Sequence, residues 1–261
     1  MKLKFKIHPF TYLFSLICVF TGNFKIFLIF TSIILFHELG HIFGCIITKN
    51  KIDNIILLPF GGITILKYPL NIKLKDEFLI VIMGPLFQLV LYLILKDYNL
   101  YYFKEINLFL TIFNTLPIIP LDGYRILNIL LNKIFCFKLS FYISSYISFI
   151  SLILLILFYI MYNNFIFLIV LSFLIYKTVS EFKLINYIYN KFLYERYNDH
   201  IVFKKHKKIN NIKNMYRDYI HLIYYNYRFY SEKEMLEKVF NYRWTLFYWL
   251  INKNVLKFYI V

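Results

Sequence analysis

Small residues and acidic residues are scarce in this chain: of 261 residues, 7 are glycine, none is alanine, and 14 aspartates and glutamates face 30 lysines and arginines. An AT-rich coding sequence would enrich Lys, Asn, Ile, Phe and Tyr and deplete Gly and Ala, so part of this bias carries no structural meaning. Cysteine is equally sparse. Cys18, Cys45 and Cys136 are odd in number and lack paired spacing, which excludes a disulfide framework or a zinc ribbon and leaves core packing. No small-residue cleavage site follows the N-terminal lysines, so the first apolar stretch is expected to stay as a helix rather than leave as a signal peptide. There is no internal repeat, and no pair of interrupted helices of the kind that marks an inverted-repeat transporter.

What is abundant is apolar surface. Hydrophobic residues make up 60% and aromatic residues 22% of the chain, far from the balance of a soluble domain. Apolar runs over residues 10–21, 24–48, 78–95, 106–131, 139–161 and 165–180 suggest six crossings, the first being short. As a helix the second run would be about 38 Å long, enough to span a bilayer with some tilt. Residues 49–77 break the pattern with charges, two prolines and a glycine pair, which predicts a cytoplasmic β-hairpin around Gly61 and Gly62.

The formal net charge of +16 first suggests nucleic acid. Its distribution argues for a membrane instead. Lysines and arginines gather at Lys2, Lys4 and Lys6, between Lys49 and Lys75, between Arg125 and Lys138, and in the tail, always after an even number of crossings. That is the positive-inside pattern, and it places both termini in the cytoplasm. From residue 181 the apolar pattern ends and a basic cytoplasmic tail begins, with 16 Lys/Arg against 7 Asp/Glu from Lys177 onward. Ser231 and Glu234 have capping-box spacing, and Lys204 to Lys208 form a stretch suited to anionic lipid headgroups. The chain reads as an all-α polytopic membrane protein, with a transmembrane part over 1–180 and a tail over 181–261.

Chemistry concentrates in HELGH, inside the second run. His37 and His41, four residues apart, share one helix face and can hold one zinc ion, with Glu38 beside them near its bound water. In soluble sequences such a match is often fortuitous, but ionisable residues inside an apolar helix are costly and therefore point to function. A catalytic zinc site needs a third protein ligand, and Asp122 in NTLPIIPLDG supplies a carboxylate where Pro117 and Pro120 interrupt the helix. A turn residue near the membrane surface is the bland reading of Asp122. Asn114 is a donor for substrate or oxyanion, or equally an interhelical hydrogen bond. Gly61 and Gly62 are a tight turn, or the edge on which an extended substrate strand pairs. Cys45, Gly84 and Pro85 read as packing. His8 reads as interfacial, and His200, His206 and His221 read as solvated tail positions.

HELGH with NTLPIIPLDG resembles the site-2 protease family of intramembrane zinc metalloproteases, and IHPF, TGN, LLPFGG and EFLIVIMGPL look most like its stage IV sporulation protein FB group. The resemblance spans roughly residues 7–180. It implies a single zinc on His37, His41 and Asp122 with Glu38 catalytic. It further implies a pro-sigma factor substrate cut during sporulation by regulated intramembrane proteolysis, inhibitory membrane partner proteins, and residence in the mother-cell membrane around the forespore. Alternatives are an anti-sigma factor or signal-peptide remnant as substrate, or a non-proteolytic membrane zinc protein. No nucleic acid is expected. The tail is similar to that of the group, which continues into a CBS domain, but only a reduced CBS-like domain would fit in its length, and Tyr124 stands where many relatives have a second glycine after LDG.

Overall fold

The computed structural model describes residues 4–7, 9–22, 24–50, 52–58, 61–66, 70–96, 102–162, 165–198 and 203–240. The order is β1 (Lys4–Ile7), α1 (Pro9–Phe20), α2 (Phe24–Ile47), β2 (Ile52–Leu58), β3 (Gly61–Leu66), α3 (Leu74–Leu95), α4 (Phe103–Thr115), α5 (Asp122–Ile134), α6 (Phe137–Tyr162), α7 (Phe165–Lys183) and α8 (Ile185–Asn198). Then come β4 (Lys205–Ile209), a 3-10 turn (Ile212–Asn214), β5 (Tyr219–Tyr225), β6 (Arg228–Ser231) and a helical segment over residues 232–240.

By length and composition α2, α3 and most of α6 could cross a membrane. Their burial pattern fits that solvent. Leu35, Leu39 and Phe43 of α2, Leu89 and Leu93 of α3, and Ile153, Leu154 and Leu157 of α6 face outward, whereas Gln88, Asn107, Asn128, Asn132, Ser144, Ser145 and Ser148 are buried. Inside a bilayer no water satisfies polar side chains, so they turn toward one another and apolar groups face lipid. Asn128 Nδ2 donates to Ser144 Oγ at 2.9 Å, and Asn132 Nδ2 to Asn128 Oδ1 at 2.8 Å.

Two expectations need correction. The apolar run 106–131 is not one continuous helix: α4 stops at Thr115 and α5 starts at Asp122. Pro117 and Pro120 lack the N–H a continuous helix needs. The Ile119–Pro120 peptide is cis, and Ser148 Oγ accepts from the Ile119 N–H at 3.1 Å. Nor is the chain all helix around a hairpin. The expected hairpin is present as β2 antiparallel to β3, but β1 pairs parallel with β2 to make a three-stranded sheet. The tail carries a second such sheet, in the order β4-β5-β6.

The tail sheet packs on α8, in a core that includes Ile188, Phe192, Ile209, Met215, Ile223 and Leu236. Phe137 of α6 belongs to that core and stacks on Phe192 with ring centroids 4.0 Å apart. The capping box forms as expected: the Ser231 N–H donates to Glu234 Oε2 at 2.9 Å, and the Glu234 N–H to Ser231 Oγ at 3.3 Å. His206 is exposed as expected, while His8 and His200 lie outside the described residues. His221 corrects the expectation, being fully buried on β5. Its Nε2 accepts from the Tyr216 N–H at 3.0 Å and its Nδ1–H donates to Glu232 at 2.9 Å. The same carboxylate pairs with Arg196 at 2.9 Å.

This tail grips the start of α3. Asp218 accepts from the Leu74 N–H at 3.1 Å, and Arg217 pairs with Glu77 and donates to the Ile72 carbonyl at 2.9 Å. Asn71 bridges Glu195 at 3.0 Å and Arg196 at 2.9 Å. Lys73, the N-cap residue of α3, makes no side-chain capping bond; the free N–H at that helix end is satisfied from the tail instead.

Candidate metal centre

α2 is apolar over most of its surface, yet its middle buries His37, Glu38 and His41. At four-residue spacing the two imidazoles lie on one face, edge to face with ring centroids 4.8 Å apart. α5 begins at Asp122, which places that carboxylate on the first turn, directly after the loop held by Ser148. The three side chains converge: His37 Nε2 lies 2.9 Å from Asp122 Oδ2, His41 Nε2 lies 3.2 Å from the same oxygen, and the two Nε2 atoms are 3.1 Å apart.

The opposite ring nitrogens determine what this triangle can bind. His41 Nδ1 lies 2.9 Å from the Ile80 carbonyl, which only accepts, so Nδ1 carries the proton. His37 Nδ1 lies 3.1 Å from Gln88 Oε1, while Gln88 Nε2 donates to the Asn107 carbonyl at 3.1 Å. With both imidazoles neutral, as metal ligation requires, both Nε2 atoms present lone pairs to a carboxylate oxygen. In that state three acceptors are crowded together and repel, and a shared cation resolves the repulsion. With zinc–ligand bonds of about 2.0–2.1 Å, tetrahedral ligands sit roughly 3.3 Å from one another, close to the spacings seen here. The donor set, two neutral imidazoles and one carboxylate, fits zinc, and all three residues are buried.

Packing leaves no slack around the triangle. A Cβ built on Gly84 of α3 would collide with the His41 ring and come within 2.7 Å of His37 Nε2. Gly40 faces the Met83 carbonyl in the same way, which brings α2 and α3 into backbone contact. On the far side of Asp122, Arg125 Nη1 lies 4.0 Å from Oδ1, the oxygen turned away from the histidines.

Of the residues singled out from sequence, His37, His41 and Asp122 are brought together, and Glu38 is buried beside them on α2. Asn114 is buried in the last turn of α4. Pro117 and Pro120 lie in the loop between α4 and α5. Gly61 and Gly62 open β3, which ends the strand order β1-β2-β3 and runs against α2. Cys45 is buried packing, as expected. Gly84 packs, but against the His37 and His41 rings themselves. Sequence reasoning missed Gln88, Arg125 and the Ile80 carbonyl. A lone Gln inside an apolar helix was a usable signal, since a polar side chain there needs a specific partner; a backbone carbonyl leaves no trace in sequence.

Comparison with known proteins identifies the family. Residues 25–104 and 97–158 match the family model described as peptidase family M50. The chain is 31% identical over 206 residues to stage IV sporulation protein FB of Bacillus subtilis, covering 75% of this chain and 72% of that protein. It is 36% identical over 118 residues to a zinc metalloprotease of Methanocaldococcus jannaschii, covering 41% of this chain and 34% of the relative. The solved site-2 protease from that archaeon superposes with a TM-score of 0.58 at 26% identity, over 69% of this chain and 91% of that one. The family match extends over the helices that carry His37, His41 and Asp122, and the chain belongs to peptidase family M50 as an intramembrane zinc metalloprotease of the site-2 type.

Proposed function

We propose that His37, His41 and Asp122 hold one zinc ion and that Glu38 is the general base and acid of peptide hydrolysis. The convergence of three lone-pair donors, Nε2, Nε2 and Oδ2, within 3.2 Å of one another is the observation that carries this reading. Held there, zinc would supply an acidified water, with a pKa of about 7, and a Lewis acid for the scissile carbonyl. Glu38 takes the proton from the attacking water and passes it to the leaving amine. Asn114 offers an amide N–H to substrate or to the developing oxyanion, next to the loop of Pro117 and Pro120. The edge strand β3, opened by Gly61 and Gly62, offers backbone groups on which an unwound substrate can pair. A carrier or scaffold would not need a carboxylic acid beside its histidines, so Glu38 favours catalysis over mere metal binding.

Six crossings with both termini in the cytoplasm follow from the distribution of lysine and arginine, with α4 and α5 together counting as one. The extent of the match to a sporulation protein supports a pro-sigma factor as substrate, restrained by inhibitory membrane partners, in the mother-cell membrane of a sporulating bacterium. An anti-sigma factor is the competing substrate. Lys204, Lys205, Lys207 and Lys208 would meet anionic headgroups.

Co-expression with membrane-tethered candidates tests this: wild type should shorten the pro-sigma factor and leave an anti-sigma factor intact. Glu38→Gln should leave both intact while retaining zinc. Equal cleavage by the variant would remove Glu38 from the mechanism.

A further inference from the structure

We propose that Gln88 is a positioning residue for the metal centre, fixing the tautomer and ring orientation of His37. This rests on the zinc reading above and adds a residue to it. Gln88 is fully buried on α3, four residues after Gly84, and joins three helices. Its Oε1 accepts from His37 Nδ1–H of α2 at 3.1 Å, and its Nε2 donates to the Asn107 carbonyl of α4 at 3.1 Å. The second bond decides the first. A carbonyl can only accept, so the amide nitrogen must face Asn107, and the oxygen must then face His37.

The consequence falls on His37 alone. His41 receives its orientation from the Ile80 backbone carbonyl at 2.9 Å, a group that follows the path of α3 whatever side chain stands at 80. His37 depends on a side chain. Without an acceptor at Nδ1, the imidazole is free to place its proton on Nε2, the atom that faces Asp122 and His41, and that tautomer cannot ligate a cation there. Gly84 reinforces the arrangement by letting α3 approach both rings, so one helix supplies the orientation of both histidines and the space they occupy.

A Gln that serves only as glue between helices would affect stability and leave zinc affinity alone, which makes the two roles separable. The test uses the full-length protein purified in detergent, with Gln88→Met removing both polar atoms at similar size and Gln88→Glu keeping an acceptor toward His37. Zinc affinity is read by competition with a chelator, and site geometry by the visible absorption of the Co2+-substituted protein. Gln88→Met is expected to bind zinc about 10–100-fold more weakly than wild type, the usual range for loss of such a partner. Excess zinc should restore its cleavage of substrate. Gln88→Glu should stay within a few-fold of wild type, with an unchanged Co2+ spectrum. Wild-type zinc affinity in a folded Gln88→Met protein overturns the proposal, as does a folded Gln88→Glu protein that loses as much as the methionine variant. If Gln88→Met does not fold, the Co2+ spectrum of Gln88→Glu decides alone: like wild type supports the role, altered overturns it. Wild-type protein without zinc affinity overturns the metal reading and this proposal together, an outcome distinct from a loss seen only in the variants.

Discussion

His37 Nε2 and Asp122 Oδ2, 85 residues apart in sequence, meet at 2.9 Å. Removing either should empty the centre, because two remaining protein ligands are fewer than a catalytic zinc site keeps. Asp122→Ala and His37→Ala are expected to purify without stoichiometric zinc and without proteolytic activity. Zinc content by atomic absorption checks this, and full occupancy in either variant would dissociate the triangle from metal binding.

Glu38→Gln separates metal binding from chemistry. The amide cannot take up a proton, so turnover should fall by roughly 10²–10⁴-fold, the range general acid–base groups contribute. Zinc should remain bound at wild-type stoichiometry. The ratio of cleaved to intact substrate over time gives the answer.

Gly84→Ala tests how tightly α3 backs the ligands. The new methyl would overlap the His41 ring and stand 2.7 Å from His37 Nε2. Overpacking of this kind costs about 1–3 kcal/mol, and here the strain falls on the histidines. Reduced zinc affinity is expected, with the fold retained. An unchanged affinity would show that α3 can retreat.

In the tail, acid should loosen the core around His221. Burial pushes the imidazole below its usual pKa, which the nearby Glu232 only partly offsets. For Glu232, burial raises the carboxyl, but the hydrogen bond from His221 and the charge of Arg196 outweigh it and hold the group below the usual range. In both cases the unfolded chain binds more protons, so stability rises with pH. It should be complete above about pH 6.5 and decline as pH falls, first through His221 and then through Glu232. Hydrogen exchange of β5 amides measured between neutral and acidic pH should show faster opening in acid; the reverse trend would contradict a neutral buried His221.

Much of the site was legible because its cost is visible: His37, Glu38 and His41 interrupt an apolar helix, and only function or a buried partner justifies them there. Asp122 was legible through Pro117 and Pro120, which interrupt the helix as expected, whereas the sequence pattern did not show that the run divides into two separate short helices, α4 and α5. β1 escaped notice because four residues with three lysines in their neighbourhood carry no strand signal until β2 is present beside them. His221 was misjudged by its surroundings in sequence. Lys207 and Lys208 line the neighbouring strand β4, but β5 alternates, and His221 falls on the face that packs against α8 with Ile223.

The grip of Asp218 and Arg217 on the first turn of α3 ties the tail to the helix that meets both histidines. Ile80, Gly84 and Gln88, the three α3 residues that meet the histidines, lie about 9, 15 and 21 Å along the axis from Leu74 at 1.5 Å per residue. All three lie on one helix with that first turn. Whatever shifts the tail by an ångström should therefore reach His37 and His41 as a change in the angle at which they face the cation. Arg217→Met, remote from every ligand, should change the Co2+ spectrum of the centre; an unchanged spectrum would mean that α3 moves freely of the tail, which would then be cargo and not control.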